Sequence, residues 1–314
     1  MWQMWHRERS ASTGTLCFLW LLTLSLRAVG NDSFCSWSMQ LEVRKEHFAY
    51  CIQSSEGIFR SPNLLKELLL DEYVHIIQLT FKTPQKGILF VPDSTYAEGR
   101  NMLLLEACRE ELVLGFRFGY LVFVDDDVSI LQGSFKAWHA EMLQWEPAIM
   151  IPAFNFVLDE RRYKGRPVGV WCYDSFFVAY HRELADALLP LDASLDDVDA
   201  CWWDSSFYIQ YLSQIHLQGH ILVSDKLVVR GLIKGTYPRH GCYGHGARMW
   251  ELVKSRHENF GASLKHVAGV GSWYLEWGAA RKRQGKGYDL RPDPANWSLR
   301  VWPTLAIKRK SLNS

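Results

Sequence analysis

The sequence predicts an α/β fold, a single domain built on a mostly parallel central sheet flanked by helices. Three observations predict it. Apolar runs of strand length alternate with segments of helical periodicity. Tyr120-Leu121-Val122-Phe123-Val124 is apolar without interruption, which suits a strand buried on both faces. That run ends abruptly in Asp125-Asp126-Asp127, and open α/β sheets bind ligands at the carboxyl ends of their strands. With 314 residues, 48% hydrophobic and 22% charged, the chain can bury the core such a sheet needs.

Residues 1–30 read as an address. His6-Arg7-Glu8-Arg9 is a short basic region, residues 16–26 are strongly apolar, and Ala28-Val29-Gly30 has cleavage-like spacing, as in a secretory signal peptide. The apolar run is short for about 30 Å of hydrocarbon. Residues 10–26 are uncharged, however, so an uncleaved signal-anchor, and with it membrane attachment, is the second reading; an ordinary buried helix is the third. Asn31-Asp32-Ser33 and Asn296-Trp297-Ser298 are N-glycosylation sequons. Cys17 lies in the leader, leaving Cys35, Cys51, Cys108, Cys172, Cys201 and Cys242, an even set of which some would pair in an oxidising lumen. Their spacing shows no CxxC, against a zinc ribbon. These features point to the secretory pathway, in the ER or Golgi lumen or outside the cell.

Residues 31–72 have mixed character and are taken as an N-terminal extension, before a core over residues 73–246. Residues 74–81 read as a strand and residues 87–91 as a second. Thr95 and Glu98 have capping-box spacing for a helix to about residue 112, with Leu103, Leu104, Ala107 and Cys108 on one face. Strands follow at 120–124, 148–154 and 175–180, then a helix over 181–189 that Pro190 stops. Trp203, Phe207, Tyr211 and Ile215 recur at helical spacing, and residues 220–223 and 227–229 read as strands. Residues 231–246 form a loop, and residues 247–314 a helix and a basic tail.

Three adjacent carboxylates after a buried strand repel one another. Two charges about 5 Å apart cost roughly 3 kcal/mol at an effective dielectric near 20. A cation or a fully solvated turn relieves that, and hard oxygen ligands suit Mg²⁺ or Mn²⁺ shared with phosphates. The helix start from Asp93 to Asn101 favours anions through its free N–H groups. Arg100 is in reach of a phosphate there and Asn101 of a base or ribose, or else the two are a helix-surface pair. Net charge is +1 with His neutral, and about −1 without residues 1–30, so nothing points to nucleic acid. The 14 Trp suit sugar stacking or a Trp-rich core equally.

Glu98-Gly99-Arg100-Asn101, Leu104-Leu105-Glu106-Ala107 and the run from Gly119 through Asp125-Asp126-Asp127-Val128 resemble the core of GT-A-fold glycosyltransferases. The resemblance implies a GT-A-like, Rossmann-like sheet and a DxD motif binding Mn²⁺ (or Mg²⁺) and, through it, a UDP- or GDP-sugar. Asp125 and Asp127 would then be metal and donor ligands, with Asp126 at the ribose or as the second ligand. The cation would neutralise the departing diphosphate. A third ligand would be His240 or His245, with Arg239 or Lys234 on the diphosphate. An inverting member also needs a base for the acceptor hydroxyl. Asp204 stands where that family carries it, with Trp203 in place of the family's usual Glu; Asp196, Asp197 and Asp199 are rivals. For Asp204 the competing role is at the helix N-terminus. Trp171, Trp202 and Trp203 are either acceptor-stacking or core residues. The expected partners are the nucleotide-sugar and a glycan, protein or lipid acceptor. The competing readings are a secreted, non-catalytic carbohydrate- or divalent-metal-binding module, and a two-metal phosphoryl-transfer or hydrolytic enzyme, whose closely spaced extra ligands are not evident.

Overall fold

The structure, a computed structural model, describes residues 35–56, 62–154, 167–169, 173–196, 201, 203–217, 220–231, 248–249, 251–253 and 255. The chain divides into two units, Met1–Trp37 and Ser38–Ser314, and the second holds the sheet. Its strands are β1 (Val43–Ser54), β2 (Val74–Thr80), β3 (Leu89–Phe90), β4 (Arg117–Asp125), β5 (Val128–Gly133), β6 (Ile149–Phe154), β7 (Val168–Gly169), β8 (Phe177–His181) and β9 (Ile221–Gly231). Its α-helices are α1 (Pro62–Leu69), α2 (Tyr96–Leu114), α3 (Phe135–Trp145), α4 (Arg182–Leu188) and α5 (Asp204–His216).

The strands form one sheet in the order β3-β2-β1-β4-β8-β6-β9-β5, with β7 also on β9. β3, β2, β1 and β4 are mutually parallel, and β6 is parallel to β9. β8 runs antiparallel between β4 and β6, and β5 and β7 run antiparallel to β9. The predicted α/β class with a mostly parallel sheet is therefore what the chain adopts.

β4 earns its central place by composition: every residue from Arg117 to Val124 is buried. Gly119 lies where β1 bulges, and a Cβ there would stand 2.2 Å from the Lys45 carbonyl oxygen, so the two strands close up only because it is absent. One main core collects Phe48, Tyr50 and Ile52 of β1, Tyr120, Val122 and Val124 of β4, Trp138 and Met142 of α3, and Phe177 of β8. Each such large side chain contributes about 1.5–3 kcal/mol by leaving water. Inside it the His139 ring accepts from the Tyr50 hydroxyl at Nε2 (2.6 Å) and donates from Nδ1 to Asp71 (3.3 Å). That assignment satisfies all three groups.

The capping box forms as its spacing predicted. Thr95 Oγ1 accepts from the Glu98 N–H at 3.3 Å, and Glu98 accepts from the Thr95 N–H at 3.0 Å. Leu103, Leu104, Ala107 and Cys108 are buried, and so are Leu105 and Glu111, because α2 is wrapped on more than one side.

Three expectations are corrected. The boundary before residue 73 is misplaced, since β1 lies between β2 and β4 and its second half is core. Its first half is charged, which hid the strand. The two runs at 220–223 and 227–229 are one strand, β9, whose pairing with β6 shifts register midway. Finally, β5 and α3 occupy residues assigned to no element.

Cys35, Cys108 and Cys201 are disulfide-bonded and Cys51 is a buried free thiol. Among the described residues no helix is long and apolar enough to cross a membrane. The leader at residues 1–30, both sequons, and the tail beyond residue 255 lie outside them.

Candidate active site

The carboxyl end of β4 delivers Asp125, whose N–H is held by the Phe176 carbonyl at 2.8 Å. Asp126 and Asp127 then make the turn into β5. Three neighbours define the surroundings. β1 pairs with β4 so that Gln53 faces Asp125, which brings Ser55 to Asp126. The Ser55 N–H and hydroxyl approach Asp126 Oδ2 at 3.3 and 3.4 Å, and Asp126 is largely buried. β5 starts opposite the end of β9, with Val128 paired to Gly231; Asp127 Oδ2 lies 4.0 Å from where a Cβ on Gly231 would be. β8, antiparallel to β4, begins just after Asp174, which brings that exposed carboxylate to the same end.

Arg100 is 2% exposed and comes from α2. Its guanidinium donates to Asp125 Oδ1 at 2.5 Å and to the Val124 and Cys51 carbonyls at 3.3 and 3.4 Å, beside the Tyr96 and Phe123 rings. An arginine enclosed in this way organises the end of the sheet, and its contacts here are all to the protein. The Asn101 amide donates to the Leu191 carbonyl at 2.8 Å and accepts from the Leu191 N–H at 2.7 Å, clamping that segment to α2. Asp125, expected as a metal ligand, is first of all the partner of Arg100.

Among the described residues Arg100 pairs with Asp125, and the charges of Asp127, Asp174 and Asp126 act on that same carboxylate. Burial pushes the Asp125 carboxyl up, Arg100 pulls it down, and Asp127, Asp174 and Asp126 push it up again, to about 7. Like charges that meet in this way raise one another's pKa, and hydrogen bonds or a cation ease them. The donor set fits a hard divalent ion, with Asp127, half-buried at the turn, as the carboxylate placed to meet one. Among the described residues no three His, Cys, Asp or Glu side chains close around a metal position. His240 and His245 lie outside the described residues, on the segment that Gly231 leads into. So do Lys234, Arg239, Trp171, Trp202, Asp197 and Asp199.

Asp204 opens α5 and is fully buried, with Arg248 approaching its Oδ2 at 3.3 Å. The capping role belongs to its rival. Asp196 accepts from the Ser205 N–H of α5 at 2.9 Å and from the Ala97 N–H of α2 at 2.8 Å, so one carboxylate ties the first turns of both helices together. Burial pushes the Asp196 carboxyl up to about 6, against these hydrogen bonds. Trp203 is the half-buried residue before α5. A second tie runs through Ser175, whose carbonyl accepts from the Tyr96 hydroxyl at 3.2 Å and whose hydroxyl accepts from Gln210 of α5 at 3.1 Å. α2 and α5 together therefore hold the residue beside Asp174. Asp174 escaped the sequence reading because only the antiparallel placement of β8 brings it to β4.

No protein-family profile matches the chain, and no curated protein does. Solved structures similar to it include two glycosyltransferases. S. aureus TarS 1-349 in complex with UDP shares 11% identity, over 77% of this chain and 75% of that one, at a TM-score of 0.47. GalNAc-T7 with UDP, GalNAc and Mn²⁺ shares 9%, over 78% of this chain and 58% of that one, at 0.46. A197 from STIV shares 14%, over 60% and 86%, at 0.35. Likeness at this level assigns no residue of this chain a role.

Proposed function

We propose that the chain is a divalent-metal-dependent glycosyltransferase of the secretory pathway, moving a sugar from a UDP- or GDP-sugar to a glycan, protein or lipid acceptor. One observation carries the reading. Among the described residues, Asp125, held by the buried Arg100, meets the charges of Asp126, Asp127 and Asp174 at the carboxyl end of a parallel strand, where such sheets take their ligands. The disulfide-bonded Cys35, Cys108 and Cys201 support an oxidising compartment.

Asp127 would hold Mn²⁺ or Mg²⁺, with His240 as a ligand from the segment after Gly231. When bound, the cation supplies charge neutralisation for a departing diphosphate. Arg100 keeps Asp125 at the turn and braces the strand end. Asp126 anchors the loop after β1 through Ser55. Asp204 would accept the proton of the acceptor hydroxyl, with its carboxylate at the positive end of α5. For that, Arg248 must leave Oδ2; its side chain is 55% exposed, so it has room to swing away.

The same burial of Asp204 favours a second reading, a carbohydrate- or metal-binding module without turnover. A donor screen separates them. Nucleotide release from UDP- and GDP-sugars is followed with and without Mn²⁺ in the wild type, Asp127→Asn and Asp204→Asn. Mn²⁺-dependent release lost in both variants supports the enzyme. Binding of nucleotide and Mn²⁺ with no release, and indifference to Asp204→Asn, would establish the module.

A further inference from the structure

A pair of histidines lies at the other end of β1, about 26 Å along the strand from Ser55 at about 3.3 Å per residue. His47 sits in the irregular part of β1, between Arg44 and Phe48, and His75 lies on the adjacent strand β2. His47 Nδ1 and His75 Nε2 face each other at 3.1 Å, with the rings tilted at 41°. Both side chains are half-buried and so open to solvent on one side.

We propose that His47 and His75 form a second cation site, taking a borderline transition-metal ion such as Zn²⁺ or Cu²⁺ through those two nitrogens. The spacing is the first argument. A tetrahedral ion with bonds of about 2.0–2.1 Å to nitrogen holds two ligands about 3.3–3.4 Å apart. Opening the present contact by a few tenths of an ångström, with the rings turning so that both lone pairs aim at one point off the N···N line, makes that bite. Preorganisation is the second. Paired strands carry the two residues, and the rings are packed by Phe116 (4.4 Å from His47), Phe118 (5.0 Å from His75) and Tyr73 (5.3 Å from His47). The third is protonation. Burial lowers the basicity of both rings, for His75 with His47 adding to the effect, so both are neutral near pH 7. One nitrogen of the facing pair already presents its lone pair. The other releases its proton to solvent while the far nitrogen of that ring takes one up, a change of tautomer with no change of charge. The fourth is local charge, since Glu46, Asp71 and Glu72 act on His47 against Arg44 alone. Two protein ligands leave the remaining positions to water, so the ion would be exchangeable.

The test titrates purified protein with ZnCl₂ by calorimetry, comparing wild type with His47→Gln, His75→Gln and Asp127→Asn. Each histidine variant should weaken one binding event at least about tenfold, the loss that removal of even an outer-shell partner brings. Asp127→Asn should keep that event. Zn²⁺ binding indifferent to both histidine variants, or lost in Asp127→Asn, overturns the site. A second measurement needs no variant. Zn²⁺ should protect His47 and His75 from diethyl pyrocarbonate, read by mass spectrometry, and equal modification with and without Zn²⁺ overturns the proposal.

Discussion

The two ends of β4 carry charge clusters of opposite design. At the amino end, Arg182 donates to Glu111 at 2.6 and 2.9 Å and to Asp186 at 2.5 Å, while Arg117 pairs with Asp186 and lies 4.0 Å from Glu111. Two guanidiniums meet two carboxylates, and Glu111 also accepts from the Phe118 N–H at 3.2 Å. At the carboxyl end, Arg100 meets Asp125 within reach of the charges of Asp126, Asp127 and Asp174. A balanced, buried cluster fastens α2 and α4 to the sheet. At the other end, like charges crowd one carboxylate in a partly open turn, and their mutual repulsion raises its pKa. The same strand ends in matched ion pairs on one side and in crowded carboxylates on the other.

Glu111→Ala strikes the balanced end and should have the largest effect on stability. It leaves Arg182 and Arg117 buried without their shared carboxylate, at a cost of about 3–5 kcal/mol. Urea denaturation reads it, and a loss below about 1 kcal/mol would mean the cluster is not the fastening it looks. Asp127→Asn strikes the other end and should invert the pattern. Stability without metal should stay within about 0.5 kcal/mol, the usual size for a substitution at a turn outside the core. Mn²⁺-dependent nucleotide release should fall by about a hundredfold or more. A large stability loss there would erase the contrast between the two ends.

Asn101→Ala sharpens the line between scaffold and site. Two buried hydrogen bonds to Leu191 are lost, worth about 1–3 kcal/mol together. Donor KM should change little, and a large rise in KM at unchanged stability would return Asn101 to the ligand. A pH-dependent effect concerns His139, which belongs to neither cluster. Burial lowers its pKa to about 4, against the pull of Asp71. Above about pH 6.5 neither state carries the proton, so the ring's contribution to stability is whole. As pH falls towards 4 the unfolded chain takes up a proton that the folded one refuses, and that contribution is lost at up to about 1.4 kcal/mol per pH unit. The stability difference between wild type and His139→Gln isolates this. It should shrink over that window, with Asp125 and Asp196, whose raised pKa values act with the opposite sign, cancelling in the difference. A constant difference from pH 7 to 4 would show that His139 is charged in the core.

Much of the fold was legible because local rules decide it. The unbroken apolar run ahead of Asp125 could only be an enclosed strand, and Thr95 with Glu98 marks a helix start whatever lies around it. β1 was not legible. Arg44, Lys45 and Glu46 break its apolar pattern, and only the flanking strands give the stretch its partners. The turn at Asp125-Asp126-Asp127 was legible as charge in the wrong place. The roles around it were not, because Arg100 and Asn101 look alike on a helix whose buried sides its own sequence does not mark.

The sequence by itself determined that a buried strand ends in three carboxylates and that a capped helix precedes it, since apolar periodicity and capping are properties of neighbours along the chain. The tertiary structure alone decided which groups meet. It turned Arg100 inward to Asp125, brought Asp174 alongside through antiparallel β8, and gave the start of α5 to Asp196 rather than Asp204. Those are contacts between residues as far apart as Ala97 and Asp196, and burial fixes their energies.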